Sequence, residues 1–380
     1  MKSRHGRPGP RFLQDAGDRM MEFRFGAVRG AAAILVSLGV AALLILIMSD
    51  QPLEALYYLL VSPFSNTRQI FGIFERMIPL LFTGLAICVM FSAKQFNLAA
   101  EGCVMLGGFT AAICAIYLRL PLGAHLVVSI LAGAAVCGLV MLIPSLLQTK
   151  LGANVLVSTL MLNYIIMYMC QYFMVNFFAD KTQGALMTLR FLPTALIPKL
   201  SYQTSWGFVI GLVMSAVVSL FMYRTRWGYS IRMVGSNEKF AGYSGMKISG
   251  ILVLCQVIGG ILSGMGGAVE ILGYYDRFKW RLLPGYGWSG ITIAILAKNN
   301  PVFVPLGAFF LAYLSKGCVN MSIYTDVPAE MLEVIQAVIF LFFAADNFLS
   351  KYRQKMVVKR TKLEIGQTLA TQARGADNSV

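Results

Sequence analysis

Four polar stretches of this sequence could carry function, and each lies beside or inside a strongly apolar run. Three of them have residues that could contact a small polar solute, and the fourth could contact a soluble partner. In the first, residues 96–102 (FNLAAEG), Asn97 and Glu101 stand at a loop-to-helix junction. An amide and a carboxylate at such a junction cap free backbone N–H groups. Inside a membrane helix, an ionisable residue also tends to mark a route for a solute. The sequence leaves both interpretations of Asn97 and Glu101 open.

Two further stretches place polar and aromatic side chains in apolar helices. In residues 152–165, Thr159 and Asn163 share one helical face, and interhelical hydrogen bonding is the alternative to a solute-lining role for Asn163. In residues 285–301, Trp288 beside Ser289 and Thr292 suits the flat face of a sugar or base, although Trp also marks membrane interfaces. The predicted solute-facing residues are Asn97, Glu101, Ser158, Asn163, Tyr164, Trp288 and Thr292.

The fourth stretch, residues 224–247, is the longest polar interval in the second half of the chain. It has five basic residues against one acid, Glu238, and four glycines interrupt it. The glycines predict short helical pieces joined by turns, which a membrane protein would offer to a soluble partner. Arg232 is expected either to anchor this loop to a carboxylate or to be a solvated charge.

Composition defines the elements that must position these residues. The chain of 380 residues is 57% hydrophobic and 13% charged, with a mean hydropathy of +0.69. Soluble domains carry about 25% charge. Apolar runs of about 17–25 residues match the thickness of a bilayer, so we predict an all-α polytopic membrane protein. The net charge of +15 comes from basic residues that flank the runs, as the positive-inside rule requires, and predicts no nucleic-acid partner.

We predict about ten spans and cytoplasmic N- and C-termini from the distribution of Lys and Arg. A basic tail, 1–29, and a second one, 350–380, flank a transmembrane domain, 30–349, which has an outer loop at 179–205. The predicted spans are 30–48, 70–92, 99–118, 124–147, 154–178, 206–223, 249–272, 285–299, 302–320 and 329–349.

Five spans on each side of the outer loop would permit an inverted repeat. Glycines and Pro284 break the run at 285–299, and Glu101-Gly102 opens the run at 99–118, so both could be discontinuous or re-entrant helices. They occupy corresponding positions in the two halves, which is the usual indication of a solute site near the membrane midplane.

Other features limit the chemistry. The seven cysteines stand singly, only two histidines occur, and no metal site is predicted. The sequence lacks a P-loop and the common hydrolase motifs, so we predict no catalytic residues. If the chain takes part in ATP-driven transport, the ATPase is another chain. Small residues at Gly260, Gly264 and Ala268, and in a second row one position earlier, predict close helix packing, with Glu270 at the membrane interface.

These stretches resemble, in the same order, the permease family of type II bacterial ABC importers, in its nucleoside and simple-sugar branch. The resembling blocks are Phe96–Cys103, Asn154–Ile165 and Thr225–Met246. The last block keeps the family's residues at Thr225, Gly228, Arg232, Gly235, Asn237, Ala241, Tyr243 and Gly245. Cys103, Val155 and Phe240 depart from the family pattern.

The resemblance implies a permease of the bacterial cytoplasmic membrane that works by alternating access. Residues 224–247 would contact a cytoplasmic ATPase, a second permease would complete the path, and an extracytoplasmic binding protein would deliver the solute. A nucleoside is the preferred solute, then a ribose-like sugar, then a branched-chain amino acid. An ion-coupled secondary transporter that uses Glu101 is the main alternative. A membrane enzyme is a further alternative, but it would need paired carboxylates or a metal cluster at a membrane face, and neither is evident in the sequence.

Overall fold

The computed structural model describes residues 35–344 apart from 37, 48, 183, 185, 202 and 203. The predicted tails, 1–29 and 350–380, lie outside the described residues. The chain divides into two compact units, residues 1–40 with 335–380, and residues 41–334. Of the first unit, the described part is helical. The second unit contains all of the predicted solute-facing residues and the whole 224–247 loop.

The described residues form fourteen α-helices and one small hairpin. The helices are α1 Leu38–Ile47, α2 Pro52–Leu60, α3 Thr67–Ser92, α4 Ala100–Tyr117, α5 Ala124–Val140, α6 Leu142–Leu151, α7 Val155–Phe173, α8 Gly207–Arg224, α9 Arg226–Ser236, α10 Glu238–Tyr243, α11 Ile248–Tyr274, α12 Tyr286–Leu296, α13 Val304–Tyr324 and α14 Met331–Ala344. A wider helical turn, Met174–Phe178, extends α7. The antiparallel strands β1 Lys199–Ser201 and β2 Thr204–Ser205 pair Lys199 with Ser205.

Among the described residues, seven helical segments are long and apolar enough to cross a membrane, and α1 and α12 are shorter apolar helices. The prediction of an all-α polytopic membrane protein is therefore confirmed. The predicted run 124–147 is one segment of 28 residues, Ala124–Leu151, with a break between α5 and α6 at Met141. Helix α2 and the hairpin were not predicted, because neither has an apolar run long enough to indicate a span.

The two runs predicted to be broken differ in the structure. The expectation of an internal break was wrong for 99–118, since α4 runs without interruption over 18 residues. In 285–299 the helix is uninterrupted too, but it is short. There α12 has only 11 residues and begins after Gly285, whose φ of +82° suits glycine. A helix of this length spans about 16 Å, roughly half of a bilayer's hydrocarbon core.

Glycines allow the central helices to approach each other closely. Helix α11 packs against α3, α4 and α5. A Cβ atom on Gly264 would lie 2.7 Å from Sγ of Cys137 and 2.8 Å from the carbonyl oxygen of Gly133, and one on Gly107 would lie 2.5 Å from Cα of Gly264. The packing role predicted for the small-residue rows of α11 is thus confirmed, and α4 and α5 contribute glycines of their own.

The contacts between helices favour the predicted internal repeat. If α3, α4 and α5 correspond to α11, α12 and α13, the major contacts among these six helices have counterparts. Helix α3 packs on α12 and on α13, while α11 packs on α4 and on α5, and α4 contacts α5 as α12 contacts α13. The inverted repeat stays a prediction that this exchange of partners favours.

Candidate functional site

The first turn of α12 is held by two buried carboxylates from other helices. Glu101, at 1% exposure, accepts hydrogen bonds from the backbone N–H groups of Gly285 and Gly287. Between them, the Tyr286 hydroxyl donates to Oε1 of Glu270 at 3.2 Å. Because the first amides of a helix have no partner within it, a carboxylate satisfies them and also suits the positive end of the helix dipole.

The structure adds detail to the roles predicted for Glu101 and Glu270. Glu101 does act as a helix cap, but the helix that it caps is α12. Its hydrogen-bond partner Gly285 lies 184 residues further along the chain. Glu270 was predicted to lie at the membrane interface. It stands four residues before the end of α11 and is 5% exposed, because neighbouring helices cover it. Its Oε2 atom has no hydrogen-bond partner within the described residues.

Helix α7 fastens the segment before α4 by its polar face. Oδ1 of Asn163 accepts the N–H of Gly102 at 2.9 Å, and its Nδ2 donates to the Leu98 carbonyl at 2.9 Å. Oγ1 of Thr159 accepts the Leu98 N–H at 3.1 Å. The face predicted at Thr159 and Asn163 is therefore used for interhelical hydrogen bonding, which was the alternative to a solute-lining role.

A chain of side-chain amides extends from Asn97 into the bundle. Oδ1 of Asn97 accepts the N–H of Ala99 at 2.8 Å, and its Nδ2 donates to Oε1 of Gln256 at 3.1 Å. Nε2 of Gln256 donates to Oε1 of Gln148 at 2.7 Å and lies 3.4 Å from Oε1 of Gln95. The chain joins the segment before α4 to α11 and α6. The sequence did not lead us to predict this chain, although Gln256 is an isolated polar residue in an apolar run.

The remaining predicted solute-facing residues divide by exposure. Tyr164 and Trp288 are 48% and 53% exposed. Ser158 donates to the Asn154 carbonyl within its own helix at 2.8 Å, and the buried Thr292 hydroxyl lies 3.5 Å from the Trp288 carbonyl oxygen. The structure brings Asn97, Glu101 and Asn163 together around residues 98–102, and Trp288 follows the capped Gly287. Ser158 and Tyr164 belong to α7 alone.

The 224–247 loop folds into α9 and α10, so the predicted short helical pieces are present. Each piece begins with a side-chain cap. Oγ1 of Thr225 accepts the Gly228 N–H at 3.1 Å, and Oδ1 of Asn237 accepts the Phe240 N–H at 3.1 Å. Gly245 has a φ of +79° in the turn that leads back to α11.

One face of this loop is seated on the end of α3. A Cβ atom on Gly235 would overlap the Ser92 carbonyl oxygen, and Ala241 is fully buried. The Ser92 hydroxyl also lies 3.3 Å from the carbonyl oxygen of Asn299, in the turn after α12. The last residue of α3 therefore contacts both the loop and the far end of the helix that Glu101 caps.

The other face of the loop is exposed and aromatic. Trp227, Tyr229 and Phe240 are each half exposed or more, and Tyr243 is 90% exposed. A carboxylate partner was expected for Arg232, and within the described residues none is found. Instead its guanidinium lies over the Tyr223 ring, 4.8 Å from the centroid, because the nearby end of α8 offers an aromatic face.

At the opposite end of the bundle, an ion pair and hydrogen bonds hold the 179–205 segment against the rest of the chain. Asp180 pairs with Arg277 at 2.6 Å, and the Thr182 hydroxyl donates to the same carboxylate. Hydrogen bonds from Thr182, and then from Arg277, lower the pKa of Asp180 to about 2. Glu75 of α3 accepts the Ser205 N–H at 2.7 Å. The hairpin is therefore anchored on the half of α3 farthest from α9.

Several helices long and apolar enough to cross a membrane, together with a half-length helix and a structured polar loop at one end, make up a multi-pass membrane protein. Residues 69–344 match the family model for the branched-chain amino acid transport system permease component, and the chain belongs to that family. It is a permease subunit of an ABC importer.

The curated relatives cover most of the chain. It is 28% identical over 356 residues to the glucose ABC transporter permease protein TsgB13 of Haloferax volcanii, covering 90% of this chain and 93% of the relative. It is 26% identical over 335 residues to the guanosine ABC transporter permease protein NupP of Bacillus subtilis, covering 87% and 95%. It is 25% identical over 327 residues to the nucleoside ABC transporter permease protein NupB of Lactococcus lactis, covering 82% and 89%.

Proposed function

We propose that this chain forms the membrane path of an ATP-driven importer for a nucleoside, and that its 224–247 loop docks on a cytoplasmic ATPase chain. The chain itself takes no cofactor, and ATP binds the partner. The observation that carries the proposal is the two-sided loop. Gly235 and Ala241 seat one face against the bundle, while Phe240 and Tyr243 present aromatic surface on the other. Exposed aromatic residues on a rigid support are typical of interface anchors.

The orientation follows from the charges. Placing the basic loop in the cytoplasm satisfies the positive-inside rule and puts the 179–205 segment and its hairpin outside, where a solute-binding protein would dock. Both termini are then cytoplasmic, and the membrane is the bacterial cytoplasmic membrane.

We further propose that a second permease, identical or related, packs against the exposed face of α7 to complete the path. This face carries Met161, Tyr164, Ile165 and Tyr168, all about half exposed or more. Tyr164 would line the path where the two permeases meet, and Trp288 is the other predicted solute-facing residue with an exposed side chain. Asn97, Glu101 and Asn163 act by holding the helix ends in place.

The choice of a nucleoside is supported by two relatives named for guanosine and nucleoside transport. A simple sugar is the second candidate, because the glucose permease relative is similar over a comparable length. Competition for uptake between labelled guanosine, ribose and glucose in cells that express the whole transporter separates these solutes.

Co-purification tests the docking surface. We expect the ATPase chain to co-purify with the wild-type permease and to be reduced at least about tenfold by Phe240→Ala with Tyr243→Ala. Tyr117→Ala, which removes a 55% exposed aromatic residue at the other end of the bundle, is the matched control. Wild-type chain that takes up solute with a proton gradient and without an ATPase would instead support the ion-coupled alternative.

A further inference from the structure

Arg232 lies between two glycines on the face of α9 that rests against the bundle. Gly228 is four positions before it and Gly235 three after it, so all three share one helical face. A Cβ atom on Gly228 would lie 2.6 Å from Cα of Met222, and one on Gly235 would overlap the Ser92 carbonyl oxygen. Helix α9 therefore lies directly on the ends of α8 and α3, close beside the stem of the Arg232 side chain.

The guanidinium group of Arg232 is held in one orientation without a hydrogen-bond partner among the described residues. Its carbon lies 4.8 Å from the centroid of the Tyr223 ring, which covers one face of the group. Its Nε atom is buried and unpartnered within the same residues. The two terminal nitrogens are not enclosed in this way, and the side chain as a whole is partly exposed. A planar fork of N–H donors is therefore presented at the surface in a fixed direction.

The loop around Arg232 has positive charge that no acid of the described chain neutralises. Residues 224–247 contain five basic residues and one acid, Glu238, which is exposed. The ion pairs found in the described residues all involve the 179–205 segment, at the other end of the bundle. Because the fold has already removed part of the water around the guanidinium group, a carboxylate that accepts from its free N–H groups makes a strong, charge-assisted pair.

We propose that a carboxylate of the ATPase chain accepts two hydrogen bonds from the Arg232 guanidinium when the 224–247 loop docks. This inference rests on the docking proposed above and adds the charge pair that sets the position of the loop on its partner. The exposed Phe240 and Tyr243 supply apolar area, whereas a bidentate pair of guanidinium and carboxylate fits in one orientation. The excess of basic residues in the loop suits an acidic surface around that carboxylate.

Binding of the purified full-length chain to the ATPase chain that co-purifies with it measures the contribution of Arg232. We expect Arg232→Gln to raise the dissociation constant at least about tenfold. Lys150→Gln removes the same charge from an exposed position outside the loop and should bind as the wild type does. Thermal unfolding of Arg232→Gln alone should shift by no more than about 3 °C, because the variant loses one aromatic contact and no hydrogen bond found in the described chain.

The variant Arg232→Lys identifies the partner group. A carbodiimide joins an amine to a carboxylate that contacts it, and it does not join a guanidinium group. In the assembled complex we expect the new amine to form an amide with one acid of the ATPase chain, which mass spectrometry locates. The wild type, treated in the same way, should give no linkage at position 232.

The proposal fails if Arg232→Gln binds the ATPase as tightly as the wild type while Phe240→Ala with Tyr243→Ala loses it. That result would keep the docking surface and remove only the charge pair. A linkage from the Arg232→Lys amine to an acid of this same chain would make the pair internal and also overturn the proposal, as would linkages at Lys239 with none at position 232. A wild-type chain that binds no ATPase would overturn the docking itself, and this inference with it.

Discussion

The carboxylate of Glu101 accepts a hydrogen bond from the backbone N–H of Gly287, so an acid at the start of α4 caps the N-terminus of α12. These residues are 186 positions apart. Gly287 has to be glycine for this contact, because a Cβ atom there would lie 2.6 Å from the Glu101 nitrogen. The contact joins the two runs that the sequence places in corresponding positions of the two halves.

Replacing Glu101 should therefore destabilise the fold. Gln at this position presents an NH₂ group to two backbone donors, so Glu101→Gln should lower the free energy of unfolding by about 1–3 kcal/mol. Thermal unfolding of the purified chain measures the loss. Glu330→Gln removes an exposed acid and should change stability by less than about 0.5 kcal/mol. An unchanged unfolding midpoint for Glu101→Gln would mean that the carboxylate does not cap α12.

Adding one methyl group at Gly235 should loosen the polar loop. Alanine normally stabilises a helix relative to glycine by about 1 kcal/mol. Here the added Cβ meets the Ser92 carbonyl, so Gly235→Ala should displace α9 from α3 and loosen the backbone around the basic residues of the loop. Faster tryptic cleavage within 224–247 is the expected result. Ser236→Ala, at the exposed neighbouring position, should be cleaved at the wild-type rate, and equal rates for both variants would contradict the seating of α9.

The glycine contact between α4, α5 and α11 should tolerate no side chain. Gly264→Ala places a methyl group 2.7 Å from Sγ of Cys137 and 2.8 Å from backbone oxygen, and should cost about 1–3 kcal/mol in unfolding free energy. Gly250→Ala makes the same substitution in the same helix with nothing within 4 Å, and should be neutral or stabilising. Thermal unfolding compares the two, and a Gly264→Ala variant as stable as Gly250→Ala would rule out the close packing.

The Asp180–Arg277 pair should make stability depend on pH in the acid range. Folding lowers the pKa of Asp180 from 3.8 to about 2, so the folded state favours the charged form. The resulting stabilisation is complete above about pH 4 and is lost as the pH falls towards 2. Asp180→Asn should therefore show a smaller drop in unfolding temperature between pH 4 and pH 2 than the wild type. Asp276→Asn serves as the control, and an identical acid dependence in Asp180→Asn would contradict the assignment.

Patterns along the chain were sufficient to predict most of the helices. Long apolar runs predict spans, because hydrocarbon requires every backbone group to be paired within the helix. The two small-residue rows of α11 predict close packing, because small side chains let another helix backbone approach. The glycine-rich loop likewise predicts α9 and α10. These features depend on residues near one another in sequence.

Partners far apart in sequence could not be predicted in this way. Glu101 could be recognised as a possible cap, but nothing in residues 96–102 specifies that Gly285 and Gly287 are its donors. The amide chain through Gln256 and the burial of Glu270 depend on how α11 lies between α4 and α6, which periodicity does not encode. Arg232 is similar, since its partner is the Tyr223 ring of the preceding helix rather than a carboxylate.

The glycine contact of Gly107, Gly133 and Gly264 also bears on how the molecule can move. Side chains can exchange rotamers during a rearrangement, but backbone in contact with backbone has no such freedom. Helices α4, α5 and α11 should therefore travel as one rigid body during a transport cycle. The displacement would then fall on the hinges around this body, at Met141 between α5 and α6 and at the turn from Lys94 to Ala99.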